Sequence, residues 1–128
     1  MSIDVTKIND QPVLLVRPGP NDANARGDIF GGWLMSQIDI AASITACKIA
    51  KGMTVTVAVQ ELKFIKSIFT YDRVSFFTEV LAVGTTSVTI KVEAFSQSPL
   101  SEEWVKVSEA ILVFVAVNKP GEKRVIEK

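Results

Sequence analysis

Apolar and polar positions divide this chain at about residue 52. Across residues 31–51, "GGWLMSQIDIAASITACKIAK", apolar side chains dominate a helical stretch with few charges on any face. Beyond Gly52 the pattern shortens to β-branched and alternating runs. Residues 54–66 are β-branched and partly alternating, and residues 72–83 form the next run. Residues 86–95 alternate most clearly: Val88, Ile90, Val92 and Ala94 point one way, and Thr89, Lys91 and Glu93 the other. Residues 103–118 turn continuously apolar, as a central strand covered on both faces does. Ahead of the helix, residues 12–18 read as a short strand closed by Pro18. Residues 19–28 are dense in Gly, Asn, Asp and Pro and read as a long structured loop.

The predicted order is therefore strand, loop, one long helix, then four strands joined mostly antiparallel. Residues 83–88 make a tight hairpin and 96–103 a looser one. The helix closes with Lys48 and Lys51 in its last turn and Gly52 just beyond. A helix of this length spans about 30 Å, enough to lie along a whole curved sheet. The expected class is α+β, a five-stranded antiparallel sheet curled around one central helix. Residues 1–128 read as one domain, with 1–11 and 119–128 as peripheral tails.

Composition narrows the function. The chain has 128 residues, 48% of them hydrophobic, so it can build a core without staples. Fourteen basic residues balance fourteen acidic ones without clustering, which argues against a nucleic-acid face or a polybasic membrane patch. One cysteine, Cys47, excludes an internal disulfide and fits a reducing, cytoplasmic setting. No apolar leader opens the sequence, and no run approaches a bilayer span. Histidine is absent altogether. That removes Ser–His and Cys–His catalysis and zinc–imidazole sites, so no metal is expected. Chemistry on this chain falls to carboxylates, amides, hydroxyls and backbone dipoles.

Asp39 is the anomaly. It lies mid-helix, too far in to cap the helix or answer its dipole, and aspartate is a weak helix former. One turn to either side stand Met35, Ser36, Ala42 and Ser43, none basic, while Lys48 lies across the wheel. A structural role would pair Asp39 with Lys63, Lys66 or Arg73 from a strand. A catalytic role would make it a partly desolvated base acting on water, or a nucleophile that attacks the carbonyl to form an anhydride, and the sequence does not choose between them. Gly31 and Gly32 favour the second role, because they stand where backbone N–H groups lack intrahelical partners. A carbonyl docked there would gain oxyanion stabilisation. The glycines could instead serve tight packing, and Asp28 could be the helix cap.

"DANARGDIFGGWLMSQID" at residues 22–39 resembles the signature of the hotdog-fold acyl-CoA thioesterases, in particular their short bacterial acyl-CoA hydrolases. "VTVAVQELKFIKSI", "VGTTSV" and "EAILVFVAVN" extend the resemblance over nearly the whole chain past the first dozen residues. It implies a helix wrapped by a five-stranded sheet, a homodimer commonly built into a hexamer, and hydrolysis of acyl-CoA to a fatty acid and CoA. Coenzyme A is then part of substrate and product, and no separate cofactor is implied. By position in the motif, Asp39 matches the catalytic carboxylate and Asn24 the loop asparagine assisting it, commonly from the opposite subunit. Gly31 and Gly32 match the segment whose amide receives the thioester oxygen. Phe64 and Lys66, with the hairpin Gly84, Thr85, Thr86 and Ser87, match regions along the CoA arm. The chain departs from its relatives at Arg26, where a small polar residue is usual, and at Ser67, where proline is. A basic residue often stands at Thr85 or Thr86.

Other candidates read more plainly. Asn24 in a loop forms turns by default. Cys47 has no activating base, Trp33 and Trp104 suit a core or dimer interface, and Glu109 suits a hydrogen-bonded structural role. Ser36 and Ser43 flank Asp39; helix packing is the favoured reading, with a hydrogen bond that orients the acid as the alternative. The main alternative function is a non-catalytic acyl-CoA binder or sensor on the same fold.

Overall fold

A computed structural model describes residues 11–127. The expectation for residues 1–10 and for Lys128 as peripheral lies outside that range. The elements run β1 (Leu14–Val16), a 3-10 turn (Pro20–Asp22), α1 (Gly31–Ala50), β2 (Thr54–Phe64), β3 (Arg73–Val83), β4 (Ser87–Gln97), β5 (Val105–Lys119) and β6 (Glu122–Lys123). The sheet is antiparallel in the order β1-β3-β4-β5-β2, with the two-residue β6 paired to β5. This is the hotdog layout, and each long element lies within a few residues of where periodicity put it.

Alternation explains the core. Val88, Ile90, Val92 and Ala94 of β4 point inward with Ala110, Leu112, Phe114 and Ala116 of β5. They meet Leu34, Ile38, Ala41, Ala42, Ala46 and Ala50 on one flank of α1. Four alanines in that flank let helix and sheet approach closely. The opposite flank is uncovered: Ile40 and Ile44 are each 43% exposed. The sheet curls around the helix as expected, and within one chain it leaves this flank of α1 open.

Two ends differ from expectation. Lys51, not Gly52, takes the left-handed conformation that stops α1, with φ 57°. The stretch from Lys119 is no peripheral tail. Arg124 donates from Nη2 to the Ala50 carbonyl at 2.9 Å, capping the end of α1. Ile126 is 4% exposed and belongs to the core. Val125 and Ile126 are two adjacent apolar residues in a charged segment, too short a run to give a periodic signal, so the sequence pattern hides which of them is buried.

Candidate active site

Asp39 projects from α1 toward β2, where its Oδ1 accepts a 2.6 Å hydrogen bond from Oγ1 of Thr56. No lysine or arginine forms an ion pair with it among the described residues. That removes the pairing with Lys63, Lys66 or Arg73; Arg73 reaches the Ser101 carbonyl instead, at 3.4 Å. The half-buried carboxylate borders a cavity of about 410 Å³. Gly32, Ser36 and Thr56 form its polar side, and Met35, Val59 and Leu62 its apolar side. Ser43 bonds the Ile40 carbonyl at 2.7 Å rather than Asp39. Thr56, which sequence reasoning passed over as one more β-branched strand residue, is the side chain that orients the acid.

The start of α1 is open. Phe30 occupies the cap position and contributes no side-chain cap. Asp28, the expected cap, pairs with Arg26 at 3.2 Å. The N–H groups of Gly31 and Gly32 donate to nothing within the described residues. A Cβ on Gly32 would meet nothing within 4 Å, and one on Gly31 only the Phe64 ring at 3.5 Å. Packing against the sheet therefore does not demand these glycines; they leave the amides approachable, at the positive end of the helix dipole. Gly32 and Asp39 share one face of α1, about 10 Å apart along its axis at 1.5 Å per residue. That span accommodates a docked carbonyl with a water between it and the carboxylate.

Asn24 lies elsewhere. With Gly31, Phe64 and Lys66 it lines a second recess, of about 320 Å³. Its Oδ1 accepts from the backbone N–H of Arg26 at 2.9 Å and of Asp28 at 3.2 Å, so the carbonyl end of the amide holds the loop. Its Nδ2 has no partner among the described residues and is available to donate. One chain thus separates the expected catalytic residues into Gly32 with Asp39 and Asn24 with Gly31, the helix start standing between.

The expected CoA residues also divide. Phe64 and Lys66 line the Asn24 recess, but Gly84, Thr85, Thr86 and Ser87 line neither cavity. That hairpin sits at the opposite end of the sheet, where Ala116 and Ile126 donate to the Thr86 and Thr85 carbonyls. Phe64 pairs with Ser108, whereas Thr54, at the other end of β2, pairs with Ala116. Within one chain the hairpin cannot join the recess, because the length of the sheet intervenes.

The remaining candidates are structural. Lys106 Nζ lies 2.8 Å from both Glu93 and Glu109. Its hydrogen bond to Glu109 holds that carboxyl below the ordinary glutamate value, against the upward pull of burial. Burial pulls the Lys106 ammonium down, and its bonds to Glu109 and Glu93 more than offset this, leaving it raised. Trp104 packs with Phe77 and Phe95, ring centroids 6.0 and 6.2 Å away. Cys47 Sγ lies 3.3 Å from Thr54 Oγ1, with no base beside it.

Residues 26–102 match the Thioesterase superfamily model. The acyl-CoA thioester hydrolase YciA of Escherichia coli K12 is 42% identical over 110 residues, covering 84% of this chain and 83% of YciA. The hexameric thioesterase y2039 of Yersinia pestis superposes with a TM-score of 0.87 at 38% identity, over 94% of this chain and 98% of that one. An acyl-CoA hydrolase of Staphylococcus aureus, solved with butyryl coenzyme A and coenzyme A, superposes at 0.81 and 29% identity, over 88% and 69% of the two chains. That hydrolase has also been solved with an aspartate, a threonine or an asparagine replaced by alanine. The three are spaced along its chain as Asp39, Thr56 and Asn24 are here.

Proposed function

The chain belongs to the thioesterase superfamily, and on that premise we propose how its own residues hydrolyse acyl-CoA to a free carboxylic acid and CoA. The observation that carries the proposal is Asp39: an acid with no cation paired to it among the described residues, hydrogen-bonded by Thr56, in one cavity with the open Gly32 amide. The thioester oxygen docks on the helix N-terminus at Gly32, with Gly31 beside it. Asp39 takes a proton from water as the water oxygen bonds to the carbonyl carbon. The carbonyl electrons move onto oxygen, which the Gly32 N–H stabilises. The intermediate collapses, the C–S bond breaks, and the departing CoA sulfur takes up the proton held by Asp39.

Asn24 completes the site from a second subunit, donating through Nδ2 to the water or the carbonyl. Support comes from the division of the residues over two recesses in one chain. Support for assembly comes from the exposed helix flank and from β2, an 11-residue strand whose outer edge is unpaired among the described residues. We read the protein as a homodimer built into a hexamer, as y2039 is hexameric. Phe64 and Lys66 contact the CoA arm, joined by Gly84, Thr85, Thr86 and Ser87 only across subunits. No helix among the described residues is long and apolar enough to cross a membrane. The lone cysteine supports placement in the cytoplasm. We propose no cofactor beyond the CoA of substrate and product.

The test is thiol release. Acyl-CoA thioesters from acetyl to palmitoyl, incubated with the protein and a thiol-reactive dye, should release CoA catalytically. Saturable binding of the same thioesters without release would instead identify a binder or sensor.

A further inference from the structure

Two β-bulges interrupt β2 beside the cavity. Thr56 pairs with Phe114 and Ala58 with Val113, so Val57 is an extra residue. Gln60 pairs with Ile111 and Lys63 with Glu109, so Glu61 and Leu62 together stand opposite Ala110. An unbroken strand with Thr56 facing inward would turn Ala58 and Gln60 inward after it. The first bulge reverses that parity, so Val59 pairs with the buried Leu112 and faces the cavity, and Gln60 does not. The second bulge restores it and returns Leu62 to the cavity wall. Glu61 takes a left-handed φ of 49° at that second bulge. Bulges re-aim side chains, and strained backbone of this kind gathers at functional sites.

We propose that Val59 and Leu62, aimed by these two bulges, are the residues that determine which acyl chain lengths this enzyme accepts. The inference rests on the hydrolase reading above. With the carbonyl held at Gly32, the acyl carbons run against the apolar wall that Val59 and Leu62 form with Met35 and Leu112. Leu62 is half-buried in the wall, so trimming it deepens the chamber and enlarging it fills the same space. Val59 is 48% exposed and forms the rim. A polar side chain in its place would set a hydrophilic group against the acyl chain at the mouth of the cavity.

The experiment compares kcat/KM across acetyl- to palmitoyl-CoA for the wild type and four variants. Leu62→Ala should raise the ratio of longer to shorter substrates about tenfold or more, and Leu62→Phe should lower it similarly, the scale of one methylene in an apolar pocket. Val59→Gln should depress the longer substrates at least about tenfold, and Gln60→Val should reproduce the wild-type profile. The readout is a ratio, so a general loss of folded enzyme leaves it unmoved. Unchanged ratios for both Leu62 variants, or a profile moved by Gln60→Val and not by Val59→Gln, would overturn the inference. Asp39→Asn on the same panel separates the two readings. Turnover by that variant sinks the catalytic proposal; an inert Asp39→Asn with unmoved Leu62 profiles sinks only this one.

Discussion

At the scale of the residue, Asp39 stands out because one hydroxyl partners it where a cation would silence it. The Thr56 bond is charge-assisted, worth about 1.5–3 kcal/mol when made to an ionised group. Thr56→Val keeps the β-branched shape and removes the donor. It should lower kcat roughly ten- to a hundredfold with little change in KM, read by steady-state hydrolysis; a wild-type kcat would mean that the bond does not orient the acid. Sequence alone isolated Asp39, through the missing cation on its helix face, and missed Thr56. Yet the signal exists. The turn at Lys51 folds β2 back along α1. At 1.5 Å per helical residue Asp39 lies about 18 Å from that turn, and at 3.3 Å per strand residue Thr56 lies about 17 Å from it. Equal reach on facing elements makes them neighbours, a calculation that periodicity by itself does not prompt.

Elements were legible where one period runs uninterrupted. Alternation in β4 placed its inner face residue by residue, and the apolar helix ended within a residue of the expected turn, with Lys51 rather than Gly52 taking the left-handed conformation. β2 was the exception. Its pattern looked only partly alternating because two extra residues break the parity, and a bulge is set by the partner strand rather than by local composition. Glu61 carries the strain of the second bulge. Glu61→Gly should relieve about 1–2 kcal/mol of left-handed backbone cost, less roughly 0.5–1 kcal/mol for the freer unfolded chain. The net expectation is modest stabilisation, seen as a higher urea midpoint with the acyl-length profile unchanged. A lower midpoint would place the benefit of residue 61 in its side chain instead.

At the scale of the molecule, one chain divides the proposed catalytic groups between two cavities, Asn24 with Gly31 and Asp39 with Gly32. Asn24→Ala and Asp39→Asn should each be nearly inactive alone. Unfolded and refolded together, they should regain roughly a quarter of wild-type activity, because half the dimers are mixed and each of those keeps one intact site. No regain would place Asn24 and Asp39 in the same subunit's site. No pattern in a single sequence says which residues meet across a two-fold axis, which is why the resemblance supplied that expectation and spacing could not. The Glu93–Lys106–Glu109 cluster joins β4 to β5 and belongs to stability. Glu109 is held below its ordinary value, so its contribution is present above the unfolded value and lost as pH falls through the folded one. Lys106 is raised, so its contribution is full below its unfolded value and lost as alkaline pH passes the folded one. Lys106→Met should therefore lower the neutral-pH melting temperature, by about 1 kcal/mol of stability for this partly exposed cluster, and the difference should shrink in strong acid. A constant difference at every pH would assign the loss to packing of the lysine stem.

Everything at these scales converges on one carboxylate facing one docking point, and Asp39→Asn probes it with almost no change in shape. Under single-turnover conditions, with butyryl-CoA and enzyme in excess, the variant should still bind the thioester and melt near the wild-type temperature. Its rate of CoA release should fall by about 10²-fold or more, the scale of a lost general base. Release at the wild-type rate by a folded Asp39→Asn protein would contradict the account.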